Sequence, residues 1–247
     1  MQNIQAILFD LGNTLLYFDG EWPDVLAEAR QAALTAFHTA GLPVEIAPFL
    51  TIFRETLENN YARREDDLIE RTTLDLLADT LHSLGYSQPP ALVLDTARRA
   101  FYGITQAHWL PEPETVPLLQ KLYQNGVRMG VVSNAADDWD VQTLVDKAEI
   151  RPFLDFVLTS AAIGHRKPAP DIFRAALAQW NFPPARVAMV GDTLNADILG
   201  ANRAGLHSVW ITRRVKAPNI LALKGEYQPA HIISSLAQLL TLDSFLE

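Results

Sequence analysis

The sequence predicts an α/β protein in which an all-helical segment interrupts a parallel sheet, and three observations favour this fold class. An uninterrupted apolar run near the N-terminus, residues 6–9, ends at Asp10. Residues 21–104 place apolar side chains at helical spacing, without a strand pattern. Beyond Pro111, helical and strand patterns alternate, which is typical of a parallel sheet with right-handed crossovers. The predicted boundaries are 1–17 and 110–247 for the sheet domain and 18–109 for the helical domain.

The first predicted element is a strand that begins near Ile4 and is followed by a turn at Gly12-Asn13. A continuous apolar run suits a strand that is buried on both faces of a parallel sheet. In the helical segment, Gly41 and Gly85 act as stop signals, and Pro89-Pro90 precedes the last helix. The four predicted helices lie near residues 21–41, 49–57, 74–84 and 93–104.

The second half of the chain predicts four further strands, each preceded by a helix. The run Val187–Val190 is again fully apolar, so it should be a strand that is buried on both faces of the sheet. The predicted strands are 127–132, 156–158, 187–190 and 209–211. The predicted helices are 114–124 and 140–147, two that follow Pro170 and Ala196, and one near 235–240. The basic residues Arg213, Arg214 and Lys216 are predicted to lie in a solvated loop.

Composition excludes several functional classes. The chain of 247 residues is 49% hydrophobic and 20% charged, which is unlike a disordered chain. It has no cysteine, which excludes disulfides and thiolate chemistry. A net charge of −9 makes it a poor partner for nucleic acid. No apolar run approaches the length of a membrane span, and the N-terminus lacks a cationic signal-peptide region, so we expect a cytoplasmic protein. The oligomeric state stays open.

Polar residues gather after the predicted strands. Asp10 follows the first strand, Ser133-Asn134 ends the second, Lys167 follows the third, and Asp192 and Asp197 follow the fourth. Ligands of open parallel sheets bind outside the carboxyl ends of the strands, so these groups should share one rim. Clustered carboxylates suggest a hard cation such as Mg²⁺, and a nearby lysine and hydroxyl suggest a phosphoryl group. A carboxylate can also act as the nucleophile.

The segments around these residues resemble those of haloacid dehalogenase (HAD) superfamily hydrolases whose helical cap follows the first strand, the C1 type of subfamily I. The resemblance implies a Rossmann-like core with an inserted helical cap. It also implies a Mg²⁺-dependent phosphatase that acts on a small phosphorylated metabolite. The matching segments are Ile7–Leu15, Val131–Asn134, Lys167-Pro168 and Val190–Asp197, continuing to Ala204-Gly205.

The resemblance also implies roles for individual residues. Asp10 would be the nucleophile, which forms an aspartyl-phosphate. Mg²⁺ would be held by Asp10, Asp192 and the backbone carbonyl of Gly12, with Asp197 as a further ligand or as the group that orients metal-bound water. Ser133 and Asn134 would hydrogen-bond the phosphoryl oxygens. Lys167 would offset charge on the nucleophile and the phosphoryl group.

One position departs from the family pattern. Phosphatases of this superfamily usually carry a general acid and base, an aspartate, where this chain has Gly12. Three consequences are open: a substrate with a good leaving group, a replacement such as Asp19 or a residue of the cap, or weak turnover. The alternative functions are a 2-haloacid dehalogenase, against which Asp192 argues because those enzymes need no metal, and a weakly catalytic binding or regulatory protein.

Overall fold

The computed structural model describes residues 4–216 and 224–242. The chain divides into two compact units. The core unit comprises the residues up to Phe18 and those from Leu110 onward, and the helical unit comprises Asp19–Trp109. No helix in the described ranges has both the length and the apolar character that a membrane span needs.

The core unit contains a six-stranded parallel sheet of order β5-β4-β1-β6-β7-β8. Phe9 of β1 pairs with Val131 of β4 and with Val190 of β6, so these three central strands end at nearly the same level. All residues of β1 and β6 are buried, which explains their uninterrupted apolar sequences. The six strands are β1 (Ala6–Phe9), β4 (Arg128–Ser133), β5 (Phe156–Thr159), β6 (Val187–Gly191), β7 (His207–Ile211) and β8 (His231–Ile233). Two shorter strands, β2 (Leu16–Phe18) and β3 (Trp109–Pro111), pair with each other.

Helices connect the strands of the core unit. The core beneath the sheet includes Phe173 and Ile172, which pack with Leu8 and Met189 of the central strands. The α-helices are α5 (Thr115–Gln124), α6 (Asp138–Lys147), α7 (Ser160–Ile163), α8 (Pro170–Leu177) and α9 (Leu199–Arg203). The chain enters α9 through a π-helical turn, Leu194–Ile198. Short 3₁₀ helices occupy Arg151–Phe153, Pro184–Arg186, Gly225–Tyr227 and Leu236–Thr241.

The helical unit is held together by aromatic packing. Phe49 contacts Phe37 and Phe53 at centroid distances of 5.5 and 5.4 Å, and Phe53 contacts Phe101 at 5.8 Å. Such ring pairs stabilise a fold beyond the burial of their apolar surface, because their preferred relative orientations are electrostatically favourable. The four helices are α1 (Trp22–Thr39), α2 (Ile46–Asp67), α3 (Thr73–Ser83) and α4 (Ala91–Gln106).

The predicted fold class is confirmed, whereas the bounds of some elements differ from the prediction and several short elements were not predicted. The first strand begins at Ala6, two residues later than predicted, and ends at Phe9. The helix α2 continues to Asp67, well beyond the apolar residues on which its prediction rested. The three-residue strands β2, β3 and β8 and the four-residue helix α7 were missed, because elements of this length contain too few residues to show a period.

Arg213 and Arg214 lie in a loop after β7, as predicted, with Arg214 exposed, but both side chains also form ion pairs that the sequence did not indicate. Arg213 Nη1 lies 2.9 Å from Glu112 Oε2, and Arg214 Nε donates to Glu112 Oε1 at 2.7 Å. Arg213 also pairs with Glu114. Burial alone would raise the pKa of Glu112, but the two guanidinium groups outweigh it and lower this pKa. We call Glu112, Glu114, Arg213 and Arg214 the arginine–glutamate cluster.

Candidate active site

The carboxyl ends of the central strands bring the predicted site residues together. Asp10 follows β1, and its backbone N–H donates to the carbonyl of Val190 at 2.9 Å. Asp192 follows β6, and Asp197 lies in the π-helical turn that comes next. Because β1 and β6 are parallel and in register, the chain leaves both strands at the same edge of the sheet.

Lys167 lies at the centre of this edge and is almost completely buried. Its Nζ donates to Asp10 Oδ1 at 2.8 Å and to the carbonyl of Val132 at 2.7 Å. It also lies 2.7 Å from Asp197 Oδ1. A lysine ammonium has three donors, and three oxygens surround this one. Burial by itself would lower the pKa of Lys167, but the two carboxylates outweigh it and raise this pKa.

Three carboxylates face this single ammonium group. Asp10, Asp192 and Asp197 each offer an oxygen, and these oxygens lie within 4.8 Å of one another. Burial, reinforced by the negative charge of the neighbouring aspartates, raises the pKa of Asp192 to about 7. Burial raises the pKa of Asp197 to about 6, although Lys167 opposes this shift. We call Asp10, Lys167, Asp192 and Asp197 the aspartate–lysine cluster. Its excess of carboxylate oxygens fits a hard divalent cation such as Mg²⁺.

Several residues that sequence reasoning missed hold the cluster in place. Thr14 Oγ1 donates to Asp10 Oδ2 at 3.2 Å. The backbone N–H of Thr193 donates to Asp197 Oδ2 at 2.9 Å, and its hydroxyl donates to Asp192 Oδ1 at 3.1 Å. Trp210 Nε1 donates to the backbone carbonyl of Asp192 at 2.8 Å. Thr14 and Thr193 lie inside the segments that carry the family resemblance, so the sequence could have indicated that they belong to the site.

Gly191 permits the close approach of Asp197. A Cβ atom at position 191 would fall 2.2 Å from Asp197 Oδ2, which is far inside van der Waals contact. Any larger residue would therefore displace this carboxylate from Lys167. The last residue of β6 is thus a glycine because only a residue without a side chain leaves room for the Asp197 carboxylate.

The remaining predicted residues lie at or near the same edge. Ser133 is the buried last residue of β4. Gly12 lies two residues beyond Asp10 and forms an isolated bridge with Leu16. The side chain of Asn134 is hydrogen-bonded to the main chain of Lys167. The phosphoryl contacts of Ser133 and Asn134 and the metal contact of Gly12 stay predictions.

A parallel sheet, a helical unit inserted after its first strand and aspartates clustered around a buried lysine are together typical of Rossmann-like hydrolases with a helical cap. Residues 4–205 match the family described as haloacid dehalogenase-like hydrolase. The chain belongs to this family and is a hydrolase of the HAD superfamily, as the sequence segments predicted.

Named relatives of similar length include phosphatases. The chain is 31% identical over 220 residues to a glyceraldehyde 3-phosphate phosphatase of Methanopyrus kandleri, covering 85% of this chain and 84% of the relative. It is 29% identical to a ribulose-1,5-bisphosphate 5-phosphatase of Halopiger xanaduensis, with 83% of each chain covered. The magnesium-bound structure of the putative HAD-hydrolase YfnB from Bacillus subtilis shares the fold, with a TM-score of 0.62 and 20% identity, covering 97% of this chain and 98% of that one.

Proposed function

We propose that this protein is a Mg²⁺-dependent phosphatase that hydrolyses a small phosphorylated metabolite through an aspartyl-phosphate on Asp10. The observation that carries the proposal is the contact of Lys167 Nζ with Asp10 Oδ1 inside a cluster of three carboxylates. The relatives named above are phosphatases of small phosphorylated sugars, which supports this substrate class.

In the proposed first step, a carboxylate oxygen of Asp10 attacks phosphorus. Lys167 and Thr14 each bind one oxygen of this carboxylate, so its orientation is fixed before the substrate arrives. The new bond joins Asp10 to phosphorus, and the bond from phosphorus to the substrate oxygen breaks. That oxygen leaves with the electron pair and takes a proton from water. Water then attacks phosphorus and loses a proton to solvent, the bond between phosphorus and the Asp10 oxygen breaks, and inorganic phosphate leaves as the Asp10 carboxylate is restored.

The other residues of the site would stabilise charge. Ser133 would donate its hydroxyl to a phosphoryl oxygen, and Lys167 would offset the negative charge that builds up beside Asp10. Asp10, Asp192 and the carbonyl of Gly12 would hold Mg²⁺, which supplies positive charge against the phosphoryl oxygens when bound. Asp197 Oδ2 accepts from the N–H of Thr193 and Asp197 Oδ1 is ion-paired with Lys167, so Asp197 would either be a further ligand or orient metal-bound water.

Gly12 provides no side chain that could protonate the leaving group. General acid catalysis is typically worth about 10² to 10⁴-fold in rate. We therefore expect turnover to depend strongly on the acidity of the leaving alcohol. Substrates that leave as stable anions should be hydrolysed well, and simple alkyl phosphates poorly.

The test is phosphate release from p-nitrophenyl phosphate and a panel of sugar phosphates, with Mg²⁺ and with EDTA. Asp10→Asn should lower the rate by roughly 10³-fold or more, since it removes the attacking carboxylate. Asp171→Asn is the matched control, because Asp171 forms a half-exposed ion pair with Arg174 on α8.

Each alternative function has its own result in this test. Release that EDTA does not suppress would contradict the metal requirement, and halide release from 2-haloacids would then favour the dehalogenase. Mg²⁺ binding without release from any substrate would favour the binding or regulatory protein. Equal activity of Asp10→Asn and Asp171→Asn would exclude Asp10 as the nucleophile.

A further inference from the structure

The side chain of Asn134 forms a pair of hydrogen bonds with the main chain of Lys167. Asn134 Nδ2 donates to the carbonyl of Lys167 at 3.0 Å, and the N–H of Lys167 donates to Asn134 Oδ1 at 2.7 Å. If the amide oxygen and nitrogen of Asn134 exchanged places, its NH₂ group would face the N–H of Lys167 and its oxygen would face the carbonyl of Lys167. The orientation of the side chain is therefore fixed by its two partners.

The loop that carries Asn134 is itself held from the other side. Ser160, the fully buried first residue of α7, accepts a hydrogen bond from the N–H of Ala135 at 2.9 Å and contacts its carbonyl at 3.2 Å. Asn134 thus connects two fixed segments, the end of β4 and the stretch that contains Lys167. A residue held in this way can transmit the position of one segment to the other.

The part of the chain so fixed is the one that carries the ammonium group. Lys167 Nζ lies among Asp10 Oδ1, Asp197 Oδ1 and the carbonyl of Val132, at 2.7 to 2.8 Å from each. All three of these contacts have hydrogen-bond length, so a shift of the Lys167 main chain by an ångström would break or strain them. A misplacement of that size can cost about 10²-fold in catalytic rate.

We propose that Asn134 is a positioning residue, which sets Lys167 against Asp10 in the reaction proposed above, and that its side chain is not a phosphoryl ligand. This assignment rests on the proposed phosphatase function for its kinetic consequences. It replaces the expectation, drawn from the family resemblance, that Asn134 hydrogen-bonds the phosphoryl oxygens.

Asn134→Leu tests the proposal, because leucine is similar in size and removes both hydrogen bonds without adding charge. At saturating Mg²⁺, kcat for p-nitrophenyl phosphate should fall by roughly 10 to 100-fold while KM stays within about threefold. A direct phosphoryl ligand would instead raise KM and weaken inhibition by inorganic phosphate. That result, with kcat retained, would overturn the proposal.

The matched control is Asn202→Leu in α9. Asn202 Nδ2 also donates to main-chain carbonyls, those of Glu226 and Gln228, at 2.6 and 3.0 Å. It lies outside the aspartate–lysine cluster, so its loss should lower thermal stability with kcat near the wild-type value. If Asn134→Leu fails to fold, Asn134→Ser is used instead in every comparison. Serine is smaller than asparagine and likewise loses the pair of hydrogen bonds to Lys167.

A double-mutant cycle with Lys167→Met separates action through Lys167 from any other role. If Asn134 acts by placing the ammonium group, Asn134→Leu should change kcat by less than twofold once that group is absent. Equal losses in both backgrounds would show that Asn134 acts on the reaction independently, and would contradict the proposal.

A second readout requires no turnover. Lys167 is one of five lysines in the chain and is almost completely buried, so mass spectrometry can follow its reductive methylation separately from that of the others. Asn134→Leu should accelerate methylation of Lys167 at least about tenfold, and Asn202→Leu should not. Accelerated methylation of Lys167 in Asn134→Leu, together with a wild-type protein that hydrolyses no phosphate ester, would retain the positioning contact and refute the phosphatase function. Unchanged methylation would refute the positioning contact.

Discussion

The core unit contains two clusters of charged side chains that differ in their balance of charge. The aspartate–lysine cluster sets three carboxylates against one ammonium group, whereas the arginine–glutamate cluster sets two carboxylates against two guanidinium groups. The consequences for the pKa values are opposite. The pKa of Asp192 rises to about 7, while the pKa of Glu112 falls below its usual value.

This difference in charge balance is the one expected between a ligand-binding site, as we propose for the aspartate–lysine cluster, and a structural contact. The arginine–glutamate cluster neutralises its own charges, and it fixes the chain at Glu112 and Glu114 to the loop after β7. The aspartate–lysine cluster keeps negative charge that the described side chains do not neutralise. Excess buried charge is costly unless a counter-ion or substrate neutralises it, which supports our proposal that this cluster is the functional site.

The largest expected effect concerns Mg²⁺ and pH. Asp192 and Asp197 have raised pKa values in the folded protein, so the folded state binds more protons than the unfolded state between about pH 4 and 7. In EDTA, their contribution to the unfolding free energy should therefore decrease as pH rises through this window. At pH 8, Mg²⁺ at 100 times its Kd should restore about 2.7 kcal/mol.

Thermal unfolding with Mg²⁺ and with EDTA, at pH 5 and at pH 8, measures this effect. The Mg²⁺-dependent increase in Tm should be large at pH 8 and small at pH 5, where protons compete with the metal. Asp192→Asn should abolish most of the increase, and Asp197→Asn should reduce it less. An equal increase at both pH values would contradict the assignment of the cluster as a metal site.

A substitution in the arginine–glutamate cluster should lower the stability of the protein and leave its catalytic rate nearly unchanged. Glu112→Gln keeps the shape of a nearly buried side chain but removes the charge that two arginines share. We expect the unfolding free energy to fall by about 2 kcal/mol, the range for hydrogen bonds to charged groups. The kcat should stay within about threefold. Urea unfolding and steady-state kinetics on the same preparation provide the comparison, and a selective loss of kcat would contradict the division between the two clusters.

The smallest expected effect is a gain of function at Gly12. Gly12→Asp adds a carboxyl group two residues beyond Asp10, where it could protonate the leaving group. We expect kcat/KM for an alkyl phosphate to rise about tenfold, a fraction of the full contribution of a general acid. Release from p-nitrophenyl phosphate, whose leaving group needs no proton, should change by less than threefold. Gly12→Asn is the control that adds a similar shape without the acid, and an equal gain in both variants would reject this explanation.

Sequence reasoning predicted the parts of the fold and site that local patterns encode. The strands β1 and β6 are apolar along their whole length, and Asp10 and Asp192 follow them directly, so both the strands and the site edge could be inferred. The strand β2, by contrast, has three residues, which are too few to show the alternation of buried and exposed side chains that predicts a strand. The partners of Arg213 lie about a hundred residues earlier in the chain, a distance that no local pattern encodes.

The same limit applies to the contacts within the site. The family resemblance brought Asn134 and Lys167 to the same site, but their mutual hydrogen bonds depend on how two loops meet in space. The steric requirement at Gly191 likewise follows from the folded position of Asp197. Residue types and order thus indicated which groups assemble, whereas the division into reacting and positioning groups that we propose rests on contacts seen only in the folded structure.

The most direct test of the central claim is to trap the phosphoryl group on Asp10. The protein is mixed with p-nitrophenyl phosphate and Mg²⁺, quenched in acid within the first turnovers, digested and analysed by mass spectrometry. We predict an added phosphoryl group on the peptide that contains Asp10, absent with EDTA and absent in Asp10→Asn. Multiple turnovers of the substrate with no phosphorylated peptide, or with the label on another residue, would contradict it.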